Sequence, residues 1–289
     1  MKIFHHNDND GKAAAAILYQ YFKKQNINLL EEDFINVNYN DRVPTAELVE
    51  NNETVFIVDY SFNKNTVNNL YEISNKVNGN VFWYDHHKSS LEVLNKIISD
   101  NVCVEVIIDM DRCGAKIVFD TFEATYIINR YVIDLVDDYD RWIHKYPESM
   151  WFNIGSTMDN THPTSDIWID SPNKIINNGK LIKEYNDTKN SNIVKNNAYT
   201  IVINNHDCIV LNTAERSSQV FAEFFNEYKF AIVWSFNGNN FTYSIYSNLE
   251  DIDCSQIAKY FNPKGGGHKG AAGFVSDKLL FTSGSGFVI

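Results

Sequence analysis

The sequence predicts an α/β protein, with an N-terminal parallel sheet flanked by helices and a smaller C-terminal α+β domain. Two observations predict it. Through the first half, short runs rich in Val, Ile and Phe alternate with helix-period segments, and in the last third strands follow closely around a turn at Asn237-Gly238-Asn239. Strands of the first kind, joined by helical crossovers, are buried on both faces, as in parallel sheets. Strands of the second kind form hairpins.

Taken in order, the apolar runs at 2–5, 35–39, 54–59, 81–85 and 102–108 are the expected strands. The segments 11–24, 45–51, 63–77 and 89–99 carry the helical pattern between them, and 114–123 and 125–139 follow as further helices. In the first of these, Gly11 permits a sharp strand-to-helix turn, and Ala13–Ala16 are the strongest helix formers and small enough to sit close to a sheet. From about Trp151 to Ala198, Asn, Ser, Thr, Lys and Asp dominate and Pro163 and Pro172 interrupt. That texture reads as irregular structure and linker, with an amphipathic connecting helix at 175–185. The expected organisation is a catalytic domain at 1–150, a helical or irregular linker at 151–195 and a substrate-binding domain at 196–289, the active site lying in the cleft between the domains. In the second domain, strands are expected at 200–203 and 208–211, a helix at 217–228, a hairpin over 230–247 and a short helix at 255–261 ahead of KGGGHKGAAGF.

A chain of 289 residues that is 44% hydrophobic can bury a substantial core. A net charge of −12 argues against a long basic track for duplex nucleic acid. Cys103, Cys113, Cys208 and Cys254 are scattered without a CxxC pair, which fits a reducing cytoplasm better than a zinc site or a disulfide framework. The first residues lead straight into a polar cluster, leaving no room for a cleavable signal, and no apolar run approaches the ~20 residues of a membrane span. A cytoplasmic location is expected. Most of the 19 Phe, 16 Tyr and 5 Trp belong in cores, with Trp142 and Tyr246 set apart by their positions.

The polar residues fall at strand ends. Lys2–Phe4 runs into His5, His6, Asp8 and Asp10; VFIVD puts Asp59 at the exit of another strand; VFWYDHH puts Asp85, His86 and His87 at a third. In open parallel sheets ligands bind beyond the carboxyl ends of the strands. Alone, HNDNDG reads equally as an exposed turn, Asp59 as a helix N-cap and DHH as a solvated loop. Together they deliver carboxylates and imidazoles to one sheet edge. A carboxylate there is costly to bury unless its charge is compensated, and metal ions do that economically.

HNDNDG, VDYS, DHHKSS and LVDDYDRW, in that order, resemble the four motifs of the DHH phosphoesterase superfamily, and GGGHKGAAGF resembles the glycine-rich signature of the DHH-associated C-terminal domain. The HxDxDG spacing and the YDxW form are most similar to bacterial nanoRNases, which degrade very short oligonucleotides. The resemblance implies one ion held by His6, Asp8 and Asp59 and a second by Asp10, Asp59, His86 and Asp140, with His87 touching the scissile phosphate and Asp85 orienting its neighbours. Spacing alone does not choose among Asp137, Asp138 and Asp140; the YDxW position favours Asp140. Carboxylate and imidazole without thiolate suit two Mn²⁺, with Mg²⁺ or Co²⁺ as substitutes. Two such ions can generate a hydroxide and stabilise a phosphoryl transition state.

In the C-terminal domain, Gly265, Gly266 and Gly267 would turn backbone N–H groups toward an anion, with His268 and Lys269 adding a donor and a charge. Relatives carry an arginine in an S-x-R-S strand where this chain has Ser244-Ile245-Tyr246-Ser247. Tyr246 can stack on a base but cannot make a bidentate phosphate contact, so Arg216 is the candidate substitute. The implied activity is a manganese-dependent exonuclease that hydrolyses short single-stranded oligonucleotides, RNA foremost, to mononucleotides. The alternatives are a cyclic or linear dinucleotide phosphodiesterase, a 3′,5′-bisphosphate nucleotide phosphatase and, lower, a non-catalytic nucleic-acid-binding scaffold. Expected partners are short oligonucleotides or dinucleotides, with no membrane and no long duplex; a homodimer is allowed.

Overall fold

Short apolar strands followed by helices build the first half of the chain, as their composition requires. In the computed structural model, which describes residues 1–39, 41–228, 230–249 and 251–287, the chain divides into two units, Met1–Ile182 and Lys183–Ile289.

The first unit runs β1 (Lys2–His6), α1 (Asn9–Lys24), β2 (Phe34–Val37), β3 (Val55–Val58), α2 (Val67–Lys76), β4 (Val81–Asp85), α3 (Lys88–Ser99), β5 (Glu105–Ile108), α4 (Gly114–Thr121), α5 (Arg130–Asp140) and α6 (Pro147–Ser156). The five strands are all parallel, in the order β2-β1-β3-β4-β5. The chain leaves β1 toward β2 and returns on the other side to β3, so the direction of winding reverses between β1 and β3. Such a switch point opens a crevice beyond the strand ends.

Alternation along the strands sends side chains into two cores. Ile3, Phe56, Val58 and Tyr84 join Ala13–Ala16, Ile117, Val118, Ile133 and Leu135 on one face. Phe4, Val55, Ile57 and Trp83 join Leu70, Ile73, Val93 and Ile97 on the other. All four alanines are fully buried, and α1 packs against β1, α4 and α5. Their small size is what lets that helix sit so near the sheet.

Residues 151–182 are not a linker but part of the first unit. Phe152, Ile167, Trp168, Ile175 and Ile176 all enter its helix-side core. Pro147 occupies the first turn of α6, and Pro172 precedes α7 (Asn173–Asn197), accepting a hydrogen bond from the Ile176 N–H. Proline is tolerated at helix starts, where its missing donor costs nothing. Pro172 therefore begins a helix rather than interrupting a loop, whereas Pro163 does lie in a turn. The division at 182/183 falls inside α7, ahead of the boundary expected near 195.

The second unit continues from α7 into β6 (Tyr199–Ile203), β7 (His206–Asn212), β8 (Phe230–Phe236), β9 (Phe241–Tyr246), α8 (Cys254–Phe261), β10 (Gly266–Gly267), β11 (Ala271–Ser276) and β12 (Gly286–Phe287). Its mixed seven-stranded sheet has the order β10-β11-β9-β8-β7-β6-β12. Tyr243 stacks on Phe274 at 4.7 Å, Phe261 stacks on Phe274 at 5.4 Å, and Phe281 and Phe287 close the cluster edge-on, so these aromatics are core. The helix expected at 217–228 is reduced to a 3₁₀ turn, Ser218–Phe221, followed by further turns. Likewise 45–51 holds only the 3₁₀ turn Ala46–Leu48.

Candidate metal centre

The polar residues at the exits of β1, β3 and β4 converge beside the switch point. Asp8 caps α1, its Oδ1 accepting the Gly11 N–H at 3.0 Å and its Oδ2 lying 2.6 Å from His6 Nδ1. Asp10, in the first turn of the same helix, is buried. Its two oxygens accept from the first amides of α4, Gly114 N–H at 2.7 Å and Ala115 N–H at 2.6 Å. A helix N-terminus suits a carboxylate. Gly11 lies within α1 rather than at a turn. A methyl group there would stand 2.4 Å from the His6 carbonyl oxygen, so glycine is needed for close approach. At Gly114 a methyl would meet Asp59 Cβ at 2.8 Å and Asp10 Oδ2 at 3.1 Å. Both glycines keep the carboxylates near one another.

Asp59 sits at the centre. Its backbone is held at φ 53°, a left-handed conformation that strains a non-glycine residue. Its side chain is 1% exposed, and neither carboxylate oxygen has a hydrogen-bond partner. Around it stand His86 Nε2 at 3.3 Å, His6 Nδ1 at 3.7 Å and His87 Nδ1 at 3.8 Å. His86 Nε2, also buried without a hydrogen bond, is 3.5 Å from both Asp10 and Asp140.

These distances form three overlapping sets: His6, Asp8, Asp59; Asp10, His86, Asp140; and Asp59, His86, His87. All six predicted ligand residues are thereby brought together. Buried polar atoms without partners are rare, and each one calls for a compensating group. Ligand atoms about 2.0–2.2 Å from a common cation stand roughly 3 Å apart at right angles, close to the 3.3 Å between Asp59 Oδ1 and His86 Nε2. The residues fit divalent ions. Cys113 is no rival ligand: burial, then nearby Asp10, pushes its thiol well above its ordinary pKa.

Electrostatics agree. Burial drives the pKa of Asp59 and of Asp10 well above the ordinary carboxylate value, reinforced by the neighbouring Asp8 for the first and Asp59 and Asp140 for the second. Burial likewise raises Asp140. Without cations the pocket favours protons on its carboxylates. The nearby carboxylate of Asp59 and the hydrogen-bonded one of Asp8 lift His6 to about 10. Burial works against ionisation of Asp8, but its bonds from His6 and the Gly11 amide outweigh that and bring it to about 2.

The structure separates the three aspartates of the fourth motif. Asp137 accepts the Cys113 N–H at 2.8 Å, and Asp138 is buried accepting the Lys145 and Tyr146 amides. Asp140 alone faces His86. Asp85 is fully buried, receiving His87 Nδ1 at 2.8 Å and the Ser90 hydroxyl in a short hydrogen bond. Ser90 also contacts Ser61, which contacts Ser89. A serine chain, buried at Ser90 and Ser61 and exposed at Ser89, thus fixes Asp85, which fixes His87. Burial alone would lower the His87 pKa; the bond to Asp85 reverses this and raises it.

Tyr39 is not among the expected site residues. Its ring centroid lies 5.4 Å from His6 and 6.0 Å from His87, and its hydroxyl accepts the Ser61 N–H. It follows β2 directly, so the strand-exit rule would have found it.

The remaining expected residues lie in the second unit. Gly266 and Gly267 form edge strand β10, paired with β11, and Gly267 takes φ 146°. Gly265 is buried against Ala258 of α8. His268 and Lys269 are exposed, with backbone bonds to Ala271 and Cys254. Tyr246, at the end of β9, lines a cavity of about 340 Å³ with Ser218, Gln219 and Gly270. Burial raises its phenol pKa, opposed first by hydrogen bonding with Ser244 and then by the charge of Arg216.

Residues 1–141 match the DHH family, N-terminal domain. No curated protein matches the sequence. Among solved structures, the chain is similar in fold to the pGpG-specific phosphodiesterase PggH of Vibrio cholerae, with TM-score 0.60, 14% identity, and 96% of this chain and 93% of that one covered. A weaker likeness joins it to the exonuclease RecJ bound to manganese, with TM-score 0.46, 13% identity and coverage of 96% and 85%. For RecJ of Thermus thermophilus in complex with Mn²⁺ the TM-score is 0.45, the identity 13% and the coverage 100% and 53%.

Proposed function

We propose, from the match of residues 1–141 to the DHH family's N-terminal domain, that the protein is a divalent-metal-dependent phosphodiesterase acting on short nucleotide chains, linear dinucleotides first among them. One observation carries the reading. Asp59 presents two buried, unpartnered oxygens to three imidazoles at a topological switch point. His6, Asp8 and Asp59 would hold one ion and Asp10, His86 and Asp140 another, with Asp59 reaching both. Bound there, such ions supply Lewis acidity and an activated water for attack at phosphorus.

The chain's own groups supply the rest. Asp85, held by Ser90, fixes the His87 ring so that its other nitrogen can donate to a phosphate oxygen. Four ligand aspartates balance two divalent charges, while the rest of the acidic surface repels polyanions, which favours short substrates over long ones. Manganese is the expected ion and Mg²⁺ or Co²⁺ the substitutes. Of the readings raised by the sequence, the dinucleotide phosphodiesterase is preferred to the oligoribonuclease because the similar Vibrio protein acts on pGpG. Gly265, Gly266, Gly267, His268, Lys269, Tyr246 and Arg216 remain the candidate substrate contacts of the second unit.

Turnover of a linear dinucleotide, a cyclic dinucleotide and a seven-mer in Mn²⁺ tests the proposal. The linear dinucleotide should have the highest kcat/KM. A rate that climbs with chain length would overturn it.

A further inference from the structure

A cavity of about 190 Å³ opens beside the metal centre, bordered by Asp8, Asp10 and Asp140. It lies wholly within the first unit. Its volume falls below the roughly 300–1,000 Å³ of pockets that enclose whole drug-sized ligands, so it suits one planar ring system. Leu135 and Phe152 line it with apolar surface, and Tyr139 and Trp142 add aromatic faces.

Trp142 is 67% exposed and held at φ 59°, in the left-handed region. His144, two residues on, is also left-handed, and Asp138 anchors this turn by accepting the Lys145 and Tyr146 amides. The Trp142 ring packs edge-on to His144 at 4.3 Å and to Tyr139 at 5.9 Å, and the strained, pinned backbone leaves most of it open to a further contact. Facing the same cavity are Asn9 and Asn153. Asn9 Nδ2 donates to Asn153 Oδ1 at 2.9 Å and to Ser156 Oγ at 2.9 Å. Among the described residues, those bonds leave the pair the Asn153 amide group, with its two N–H donors, and the Asn9 carbonyl oxygen as an acceptor. A neighbouring donor and acceptor match the edge of a nucleobase, as asparagine side chains do in nucleic-acid recognition.

We propose that this cavity receives a nucleobase of the substrate, stacked against Trp142 and read by the Asn9–Asn153 pair, while the adjoining phosphate lies at the metal centre. The inference rests on the phosphodiesterase reading and specifies which part of the substrate the first unit grips. Stacking on an aromatic side chain is worth about 1–3 kcal/mol per base, which is about five- to 150-fold in affinity.

Two measurements test it. Guanosine, adenosine and uridine, which lack phosphate, are titrated into the full chain while the Asn153 side-chain amide is followed by NMR. At least one nucleoside should shift that signal saturably, and Trp142→Ala should weaken the binding about tenfold. No shift with any of the three overturns the proposal. The second measurement compares a dinucleotide with its counterpart carrying an abasic residue at either position. Trp142→Ala and Asn153→Leu should each raise KM about tenfold for the base-bearing substrate and leave the abasic one unchanged. Equal losses on both would mark these residues as structural supports and overturn the proposal. Should the wild type hydrolyse neither substrate, the phosphodiesterase reading falls, and the nucleoside titration still decides the cavity.

Discussion

The strand exits of the first unit and the glycine-rich segment of the second are both conspicuous in sequence, yet they are built on opposite principles. At the exits, polar groups are buried beyond what the protein itself satisfies: Asp59 and His86 keep unpartnered atoms in the interior. In the glycine-rich segment the backbone groups are largely used up in pairing β10 with β11 and in bonds around Ala271. The first arrangement demands a ligand, whereas the second satisfies its own backbone. An unmet electrostatic need, more than an unusual composition, marks a functional centre.

The largest test of that contrast is Asp59→Asn. It should lower metal-dependent turnover by about a thousandfold or more, since it removes the charge shared by both ligand sets, and raise the melting temperature of the metal-free chain, since it removes a buried, uncompensated carboxylate. Calorimetry in chelator beside kinetics in Mn²⁺ reads both. A variant that is less stable without metal would break the contrast.

Next comes metal removal as a function of pH. Asp59 and Asp10 have folded-state pKa values raised above 3.8, so the stability they contribute without metal is fully present below about pH 4 and is lost as pH rises through the folded values. His6 acts likewise at higher pH, its contribution full below 6.5 and lost through about 10. Ion binding needs these groups deprotonated. The rise in melting temperature on adding Mn²⁺ should therefore be larger at pH 8 than at pH 5.5. An equal or smaller rise at pH 8 counts against the ligand sets.

Ser90→Ala should reduce kcat about tenfold, in the range usual for groups that orient a ligand or donor from behind, with little change in KM. An unchanged kcat would mean that Asp85 holds His87 without the serine chain. The smallest effect is expected from Gly267→Ala. At φ 146° an alanine is strained, so stability should fall by about 1–2 kcal/mol, while the affinity for Mn²⁺ stays as in the wild type. A loss of Mn²⁺ affinity would show the segment to be less self-contained than its hydrogen bonds indicate.

Much of the centre is legible in the sequence. A run such as VFIVD states both that a strand is buried and that a carboxylate ends it, and the rule that ligands gather beyond strand ends then places Asp59 with His6 and His86. The choice among Asp137, Asp138 and Asp140 is not legible from spacing. It depends on which carboxylates backbone amides claim, and those amides, of Cys113, Lys145 and Tyr146, are fixed only by the fold. Residues 151–182 mislead because helices whose apolar side is narrow resemble polar linker, and because a proline such as Pro172 marks a start as readily as a break. Asn9 and Asn153 lie 144 positions apart, so nothing local pairs them.

The left-handed backbone at Asp59 has a consequence for how the lineage can drift. Asparagine and glycine tolerate that conformation more easily than aspartate does, so most single-codon departures from Asp59 toward them relax the main chain. Copies of the gene released from selection for chemistry should become sturdier proteins as they become inert ones. Sturdiness at this position would then be a fossil of lost catalysis.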